Sequence, residues 1–258
     1  MINADLKAVS KWFDTNKLTL NIEKTNYIHI PNSAHNTEKT NIILQRNKIT
    51  ETNHAKFLGI IVDNKLSWSE QIKCVNSKIA STRYMIGSLR NILKTEHLKL
   101  LYSTLMEPHL LYGITLWGGA TKSKLKKTTV LQKKAIRSIN KSPFNCHTEP
   151  IFKRLCLLKL SDIYVHETCK LMYKLMNKSL PVPLQKYFNT VDSVHSRNLR
   201  ENRNLRKPNF KINSSTQSVL WRGPELWNSL PDKIKAIDKG KAFSKHLKNH
   251  LLDIYVNH

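Results

Sequence analysis

A seam of apolar residues between positions 68 and 93 limits the possible folds more strongly than any other feature of the sequence. Its members are Trp68, Ile72, Val75, Ile79, Thr82, Ile86, Leu89 and Leu93, separated alternately by four and three positions, with one polar interruption at Thr82. Residues at this spacing lie on one face of an α-helix. A helix with so long an apolar face must pack against other elements, so the seam predicts the core of a helical bundle.

Other segments carry the periodicity of further helices and of short strands. The segments with helical spacing are residues 3–17, 122–140 and 160–178. The segments with strand-like alternation or short apolar runs are residues 25–31, 41–50 and 56–62. Asn3 is predicted to be the N-cap of the first helix. Another helix is expected to begin at Thr95 and to kink or end at Pro108, because proline lacks the N–H group of a helical hydrogen bond.

These patterns predict an α+β protein with a small antiparallel hairpin or sheet followed by a mostly α-helical body. Seven glycines in 258 residues are too few to favour an all-β protein or a Gly-rich phosphate loop. Residues 189–218 are polar, Asn-rich and basic, which predicts a linker or a loop that orders on binding. The tail contains an apolar cluster that we expect to close a small core rather than to stack on bases; it comprises Leu220, Trp221, Leu226, Trp227, Leu230, Phe243, Leu247 and Leu251.

The chain carries a large positive charge that is concentrated in two segments. Its 43 Lys and Arg residues against 18 Asp and Glu residues give a formal net charge of +25, a surplus that repels itself unless a polyanion screens it. No acidic residue lies between Glu107 and Glu149, where the basic residues are Lys122, Lys124, Lys126, Lys127, Lys133, Lys134, Arg137 and Lys141. If residues 122–140 are helical, Leu131, Ala135 and Ile139 face the body. The basic side chains then cover much of the remaining surface and suit contact with a phosphate backbone.

The second basic segment places an arginine at every third position. Its members are Arg197, Arg200, Arg203 and Arg206, followed by Lys207. Arginine binds phosphates with two parallel hydrogen bonds and also stacks on bases. For both segments the alternative is a solvated surface without a partner, but the net charge favours nucleic acid.

Cysteines and apolar runs argue against metal sites and membrane spans. Four cysteines form no CxxC pair, and Cys156, His166 and Cys169 lack a fourth zinc ligand at usable spacing. We therefore expect free thiols and no metal. Polar residues and a proline interrupt the apolar stretch 98–117, so it is not expected to cross a bilayer, and the start of the chain does not have the pattern of a signal peptide. The sequence predicts an intracellular protein of the nucleus or cytoplasm.

Short motifs follow one another in the order found in one family of polymerases. The first are Asp5-Leu6, Trp12, Asn16 to Asn21 and Lys24-Thr25, and then Lys56 to Ile60 with Asp63, Leu66 and Trp68. The later motifs are Leu101-Tyr102, Pro108 to Gly113, Trp117, Leu131-Gln132 with Arg137, Arg197-Asn198 and Trp227 to Pro231. In this order they resemble the C-terminal part of the reverse transcriptase of non-LTR retrotransposons (LINE type, jockey-like or RTE-like), that is, the end of the palm, the thumb and the C-terminal region.

The resemblance implies a division of the chain and a second set of contacts. It makes residues 1–66 a palm remnant, 67–188 a helical thumb-like region, 189–218 a basic linker and 219–258 a C-terminal helical segment. Phe57, Leu58 and Gly59 would form the primer-grip hairpin, in which Gly59 allows close approach to a sugar–phosphate backbone. An ordinary hairpin whose glycine relieves crowding is the alternative.

The resemblance also implies that catalytic residues are missing from this chain. In the family, an Asp-Asp turn and a further aspartate upstream of the first motif hold two Mg²⁺ ions, and this sequence contains no Asp-Asp pair. We therefore expect no catalytic residue and no cofactor here, since Mg²⁺ would belong to a complete polymerase. Lys24 lies in a motif whose lysine is able to protonate pyrophosphate, but without metal ligands it is predicted to be a relic or a structural residue.

The sequence thus predicts a C-terminal fragment of an RNA-directed DNA polymerase of a mobile element. The fragment is expected to be inactive alone and to bind RNA or DNA without sequence specificity, with no membrane and no small-molecule substrate as partner. Two alternatives stay open: a freestanding nucleic-acid-binding protein derived from a retroelement, and a product of a truncated element without a selected function.

Overall fold

The computed structural model describes residues 2–31, 41–45, 47–188, 204–208 and 217–256. Two compact units are present, Met1–Gln71 and Ile72–His258. In the described ranges, the first contains short strands, one α-helix and a 3₁₀ turn, and the second contains mainly helices. The predicted α+β class, with a mostly helical second part, is confirmed. None of the described helices combines the length and the apolar composition that a membrane crossing requires.

The first unit begins with helix α1 (Ile2–Thr15) and a 3₁₀ turn (Ile22–Lys24). Its strands are β1 (Asn26–Tyr27), β2 (Ile43–Leu44), β3 (Asn47–Lys48), β4 (Thr50–Glu51), β5 (His54–Phe57) and β6 (Ile60–Asp63). β1 pairs with β4 in parallel, whereas β2 with β3 and β5 with β6 are antiparallel. The predicted strands 25–31 and 41–50 are thus wrong in length. A buried cluster stabilises this region in place of long ladders; it consists of Ile42, Leu44 and Ile49, with Leu6, Leu20 and Tyr27 packed against it.

Asn3 does not cap α1, contrary to the prediction. It lies inside the helix, and its side chain reaches the start of β2 instead. Its Oδ1 accepts a hydrogen bond from the backbone N–H of Ile43 at 3.1 Å, and its Nδ2 donates to the carbonyl of Asn41 at 3.2 Å. The amide therefore joins α1 to a segment about forty positions later in the chain, a contact that no local pattern indicates.

Residues 56–62 form a hairpin rather than one strand. Phe57 pairs with Ile60, so the turn between β5 and β6 contains two residues, Leu58 and Gly59. Both have positive φ, 46° and 83°. This is the conformation of the turns that match the twist of a two-stranded ribbon. The turn alone therefore explains why position 59 is a glycine, without any contact to a ligand.

The second unit is built from helices, of which the first, α2, begins within the first unit. They are α2 (Ser69–Leu89), α3 (Thr95–Leu101), a π-helical turn (Tyr102–Met106), α4 (Glu107–Leu111), α5 (Ile114–Trp117), α6 (Lys122–Ile139), α7 (Glu149–Leu155), α8 (Leu160–Met176), α9 (Val182–Gln185), α10 (Val219–Asn228), α11 (Asp232–Lys235), α12 (Gly240–Asp253) and a 3₁₀ turn (Ile254–Val256). The predicted helices 122–140 and 160–178 are confirmed to within two residues.

The seam predicted for the long helix is buried, but the helix is shorter than its pattern. The buried members are Ile72, Val75, Ile79, Thr82 and Ile86. Trp68 lies before the helix with a φ of 61°, and the helix ends at Leu89. Periodicity therefore identified the packed face correctly and extended it too far at both ends.

Pro108 does not end the helical stretch that starts at Thr95. The chain stays helical to Leu111, because the π-helical turn directly precedes α4 and Pro108 falls in the first turn of α4. Proline is tolerated best in the first turn of an α-helix. Pro108, which was expected to interrupt the helix, thus follows closely on a wider π-helical turn.

Helix α8 is the centre of the second unit and packs against α10 and α12. The ring of Tyr173 stacks on that of Phe243 with centroids 4.4 Å apart. The predicted tail core is confirmed at its main positions, since the buried members are Trp227, Leu230, Phe243, Leu247 and Leu251. Trp221 is only half-buried.

Candidate nucleic-acid interface

Helix α6 buries one face that differs in part from the predicted one. The buried residues are Thr128, Gln132, Ala135, Ile136, Ser138 and Ile139. Ala135 and Ile139 were predicted, but Leu131 is only half-buried, and its neighbour Gln132 lies inside. Because three of the buried side chains, Thr128, Gln132 and Ser138, are polar, apolar periodicity alone placed the centre of this face slightly wrongly.

Hydrogen bonds determine the orientation of α6 on the body. The Thr128 hydroxyl donates to Oδ1 of Asn76 on α2 at 2.8 Å. The Gln132 amide donates from Nε2 to the carbonyl of Leu158 at 3.0 Å and accepts at Oε1 from the N–H of Leu160 at 2.8 Å. These buried bonds hold the opposite side of the helix towards solvent.

That opposite side carries most of the basic residues that the sequence singled out on α6. Lys122, Lys126, Lys127, Lys133 and Lys134 are called the α6 basic face below. Lys122, Lys126 and Lys133 follow one stripe of the helix, and Lys127 and Lys134 follow the adjacent one. All are exposed except the half-buried Lys133. Among the described residues no carboxylate forms an ion pair with them.

The remaining candidates on and after α6 have other surroundings. Lys124 and Lys141 are exposed, and Lys141 has left the helix with a φ of 56°. Arg137 is half-buried, and its Nε donates to the carbonyl of Cys146 at 2.8 Å. One nitrogen of its guanidinium is thus bonded to the backbone of the following loop, so Arg137 is not simply a member of the exposed surface.

Only part of the second basic segment is described. Arg197, Arg200 and Arg203 lie outside the described residues. Arg206 is exposed, and Lys207 forms an ion pair of 3.2 Å with Glu225 while its Nζ lies 4.8 Å from the centre of the Trp221 ring. A carboxylate therefore already balances part of the charge of this segment.

The side chain of Asn228 holds the segment 204–208 in place through the backbone of Leu205. Its Oδ1 accepts from the N–H of Leu205 at 2.9 Å, and its Nδ2 donates to the carbonyl of Leu205 at 2.8 Å. Both polar groups of one backbone residue are thereby paired with one side chain. The Trp227 to Pro231 motif consequently has a structural role here, with Trp227 buried in the core.

The hairpin residues proposed for a primer grip are at the surface of the first unit. Phe57 and Leu58 are 68% and 76% exposed at the tip of the turn, and Gly59 is exposed as well. All three residues are thus exposed to solvent, and the predicted contact with a primer stays a prediction.

The motif around Lys24 has a local structural explanation. Oδ1 of Asn21 accepts from the N–H of Lys24 at 3.0 Å, which caps the 3₁₀ turn. The Thr25 hydroxyl donates back to the carbonyl of Asn21 at 2.8 Å. Asn21 and Thr25 therefore shape the turn, and the role predicted for the Lys24 side chain stays a prediction.

The structure adds a polar cluster that sequence reasoning missed. His166 on α8 places Nδ1 3.0 Å from Oε1 of Glu167, and Nε2 3.1 Å from the carbonyl and 3.2 Å from the hydroxyl of Ser244 on α12. Burial alone would raise the pKa of Glu167, but hydrogen bonds from His166 and Lys170 outweigh it and lower the pKa. Because Nε2 of His166 contacts the backbone carbonyl of Ser244 as well as its hydroxyl, we interpret the cluster as a structural contact that joins α8 to α12.

His166 also belonged to the incomplete zinc pattern, which the structure disperses. Cys156 is exposed, whereas Cys169 is fully buried, and burial raises the pKa of its thiol to about 12. A thiol that stays protonated is a poor metal ligand. Within the described part of the chain, no three His, Cys, Asp or Glu side chains are grouped so that they could hold a metal ion.

Comparisons with known proteins identify the relatives of this chain. No family model and no solved structure matches it. Over 161 residues, 61% of its length, it is 29% identical to the RNA-directed DNA polymerase from mobile element jockey of Drosophila melanogaster and 24% identical to that of Drosophila funebris. It is also 30% identical over 99 residues to the polymerase ascribed to transposon BS of Drosophila melanogaster. The matched segments span 17%, 17% and 11% of these relatives. The ordered motifs and these identities agree, and the chain is a relative of the RNA-directed DNA polymerases of non-LTR, LINE-type retrotransposons.

Proposed function

We propose that this chain holds RNA or DNA through sequence-independent contacts between phosphates and the α6 basic face. The observation that carries the proposal is the geometry of α6: one face is anchored by buried hydrogen bonds, and five lysines occupy the other without a described carboxylate partner. Lysines that neutralise phosphates release condensed counterions, which favours binding to any sequence. The relationship to RNA-directed DNA polymerases supports nucleic acid as the partner.

The chemistry of the surface supports binding without sequence preference. A lysine ammonium is a compact charge without the rigid planar fork of the arginine guanidinium. Contacts to phosphates position a nucleic acid and carry no base information. We therefore expect RNA and DNA of any sequence to bind, within a larger polymerase or in the isolated chain, at an intracellular location.

A salt series with a matched control tests this proposal. Affinity for a labelled duplex is measured by fluorescence anisotropy from low to moderate salt. The test variant changes Lys126, Lys127, Lys133 and Lys134 to Gln. The control changes four exposed lysines elsewhere in the second unit, Lys233, Lys239, Lys241 and Lys245.

The proposal requires the two variants to differ. Each phosphate contact that is removed should reduce the slope of log affinity against log salt by about 0.9 on duplex DNA. We expect a clear loss of slope and affinity in the test variant and little change in the control. Equal losses would mean diffuse charge attraction, and no binding by the unmodified chain at low salt would refute the proposal.

We further propose that this polypeptide does not polymerise DNA alone. Phosphoryl transfer by polymerases requires carboxylates that hold two metal ions together, and the sequence contains no Asp-Asp pair. A primer-extension assay with Mg²⁺ or Mn²⁺ is expected to show no product. Template-dependent incorporation that copurifies with the chain through several separations would contradict this.

A further inference from the structure

The loop that follows α6 exposes the ring of a phenylalanine. Phe144 is 89% exposed, the highest exposure among the large apolar side chains that the structure describes. It lies five residues after the end of the helix that carries the α6 basic face. Isolated apolar residues at a surface are common and need no explanation by themselves. Whether the exposed ring of Phe144 indicates a binding site therefore depends on its surroundings.

Backbone hydrogen bonds fix the chain directly before Phe144. Lys141 takes the left-handed conformation, its N–H bonds to the carbonyl of Ser138 at 3.1 Å, and the N–H of Ser142 bonds to the carbonyl of Arg137 at 3.0 Å. This is the pattern in which a left-handed residue closes a helix and satisfies its last carbonyls. The direction in which the chain leaves α6 is therefore set by the helix itself.

The chain directly after Phe144 is fixed as well. The N–H of Cys146 bonds to the carbonyl of Pro143 at 3.2 Å, which makes Phe144 the second residue of a tight turn. The carbonyl of Cys146 accepts from Nε of Arg137 at 2.8 Å. Arg137 thus ties the far end of the turn back to α6, and the turn that carries the ring is anchored on both sides.

An aromatic ring on an anchored turn is suited to stacking. Its backbone loses little conformational entropy when a partner binds, and the exposed apolar area leaves water. Nucleobases stack on such rings whatever their identity, because every base has a π-face. A continuous duplex hides those faces between neighbouring pairs, so only an unpaired or terminal base is available.

We propose that Phe144 stacks on an unpaired base of a strand whose phosphates are held by the α6 basic face. The inference deepens the proposed function and rests on it, because the lysines bring the strand to the ring. It assigns to this end of the second unit a preference for single-stranded RNA or DNA, or for a single strand next to a duplex. Arg137 is then a positioning residue for Phe144.

The first experiment compares single strands with a duplex. Affinities of the full chain and of Phe144→Ala are measured by anisotropy for a DNA strand, an RNA strand of the same sequence and a blunt DNA duplex. We expect Phe144→Ala to bind one or both single strands about tenfold more weakly and to bind the duplex as the unmodified chain does. The strand with the larger loss identifies the preferred nucleic acid.

Three further variants distinguish stacking from other effects. Phe144→Trp should retain the single-strand affinity, because indole also stacks. Tyr84→Ala removes another aromatic side chain that is 72% exposed, on α2, and should have no effect on either affinity. Arg137→Lys retains the charge but cannot reproduce the guanidinium contact, so it should weaken single-strand binding in the unmodified chain and not in Phe144→Ala.

The outcomes separate this inference from the proposed function. If the unmodified chain binds no nucleic acid at low salt, the proposed function fails. The stacking site alone is refuted if the unmodified chain binds in a salt-dependent way but Phe144→Ala binds both single strands with unchanged affinity. It is refuted equally if Phe144→Ala loses as much affinity for the duplex as for the single strands. Because Phe144 contributes no charge, its removal should leave the salt slope unchanged in every arm.

Discussion

Gln132 donates a hydrogen bond from Nε2 to the hydroxyl of Tyr102 over 2.8 Å, and neither side chain is accessible to solvent. The same amide also bonds to the backbone of Leu158 and Leu160. One side chain on α6 therefore joins the π-helical turn to the connection between α7 and α8. Two motifs that are thirty positions apart in sequence, Leu101-Tyr102 and Leu131-Gln132, meet in this contact.

Gln132→Leu should destabilise the protein strongly. The substitution leaves the Tyr102 hydroxyl, the Leu158 carbonyl and the Leu160 N–H without their buried partner, and each unsatisfied group costs about 1–3 kcal/mol. We expect the free energy of unfolding in urea, followed by circular dichroism, to fall by at least about 3 kcal/mol. In a double-mutant cycle, Tyr102→Phe should cost less in the Gln132→Leu background than in the unmodified chain. A loss below about 0.5 kcal/mol for Gln132→Leu would show that the network contributes little.

Asp63→Ala should loosen the entry to α2. Oδ1 of Asp63 accepts from the N–H groups of Lys65 and Ser67 at 3.1 and 2.9 Å, and Oδ2 accepts from the N–H of Trp68 at 2.8 Å. These bonds hold Trp68 in its left-handed conformation, so their loss should cost about 2 kcal/mol and speed hydrogen exchange at the three amides. Asp253→Ala, which removes an exposed carboxylate, is the control and should change stability by less than about 0.5 kcal/mol. Unchanged exchange rates in Asp63→Ala would contradict the assignment.

Gly118→Ala and Gly87→Ala should have opposite effects on stability. A Cβ at Gly118 would lie 2.5 Å from the carbonyl oxygen of Ile114 and 2.6 Å from the Tyr164 ring, whereas a Cβ at Gly87 on α2 meets nothing within 4 Å. We expect Gly118→Ala to lower the thermal midpoint and Gly87→Ala to raise the free energy of unfolding by about 0.5–1 kcal/mol, because alanine favours a helix. Equal effects at the two sites would mean that the close packing around Gly118 is not maintained in solution.

Cys169 should make folding sensitive to alkaline pH. Burial raises the pKa of its thiol from 9.0 to about 12, so between these values the folded chain keeps a proton that the unfolded chain releases. Its contribution is complete below pH 9 and is lost as the pH rises towards 12. The urea midpoint, measured between pH 8 and pH 10, should therefore fall less steeply in Cys169→Ala than in the unmodified chain. Cys156→Ala removes an exposed thiol and should reproduce the slope of the unmodified chain; identical slopes in all three proteins would refute the prediction.

Local spacing in the sequence was sufficient to predict the long helices, to locate the clusters of basic residues and to indicate the family relationship. The seam of α2 and the bounds of α6 follow from residues within one or two helical turns of each other, and short-range periodicity reports such contacts directly. The ordered motifs likewise need no knowledge of the fold. Each of these features is encoded by neighbours in the sequence, which is why the sequence by itself determined them.

Tertiary contacts decided which polar side chains are buried and which cations are engaged. Gln132 lies inside because its partners come from positions 102, 158 and 160, and Arg137 is engaged because the carbonyl of Cys146 lies within reach of its Nε. Asn228 and Leu205 meet across more than twenty residues. In sequence these side chains look like surface residues, since a polar group is stable in the interior only when hydrogen-bond partners from distant segments replace water. The sequence alone does not specify where such partners lie, and only the folded chain brings them together.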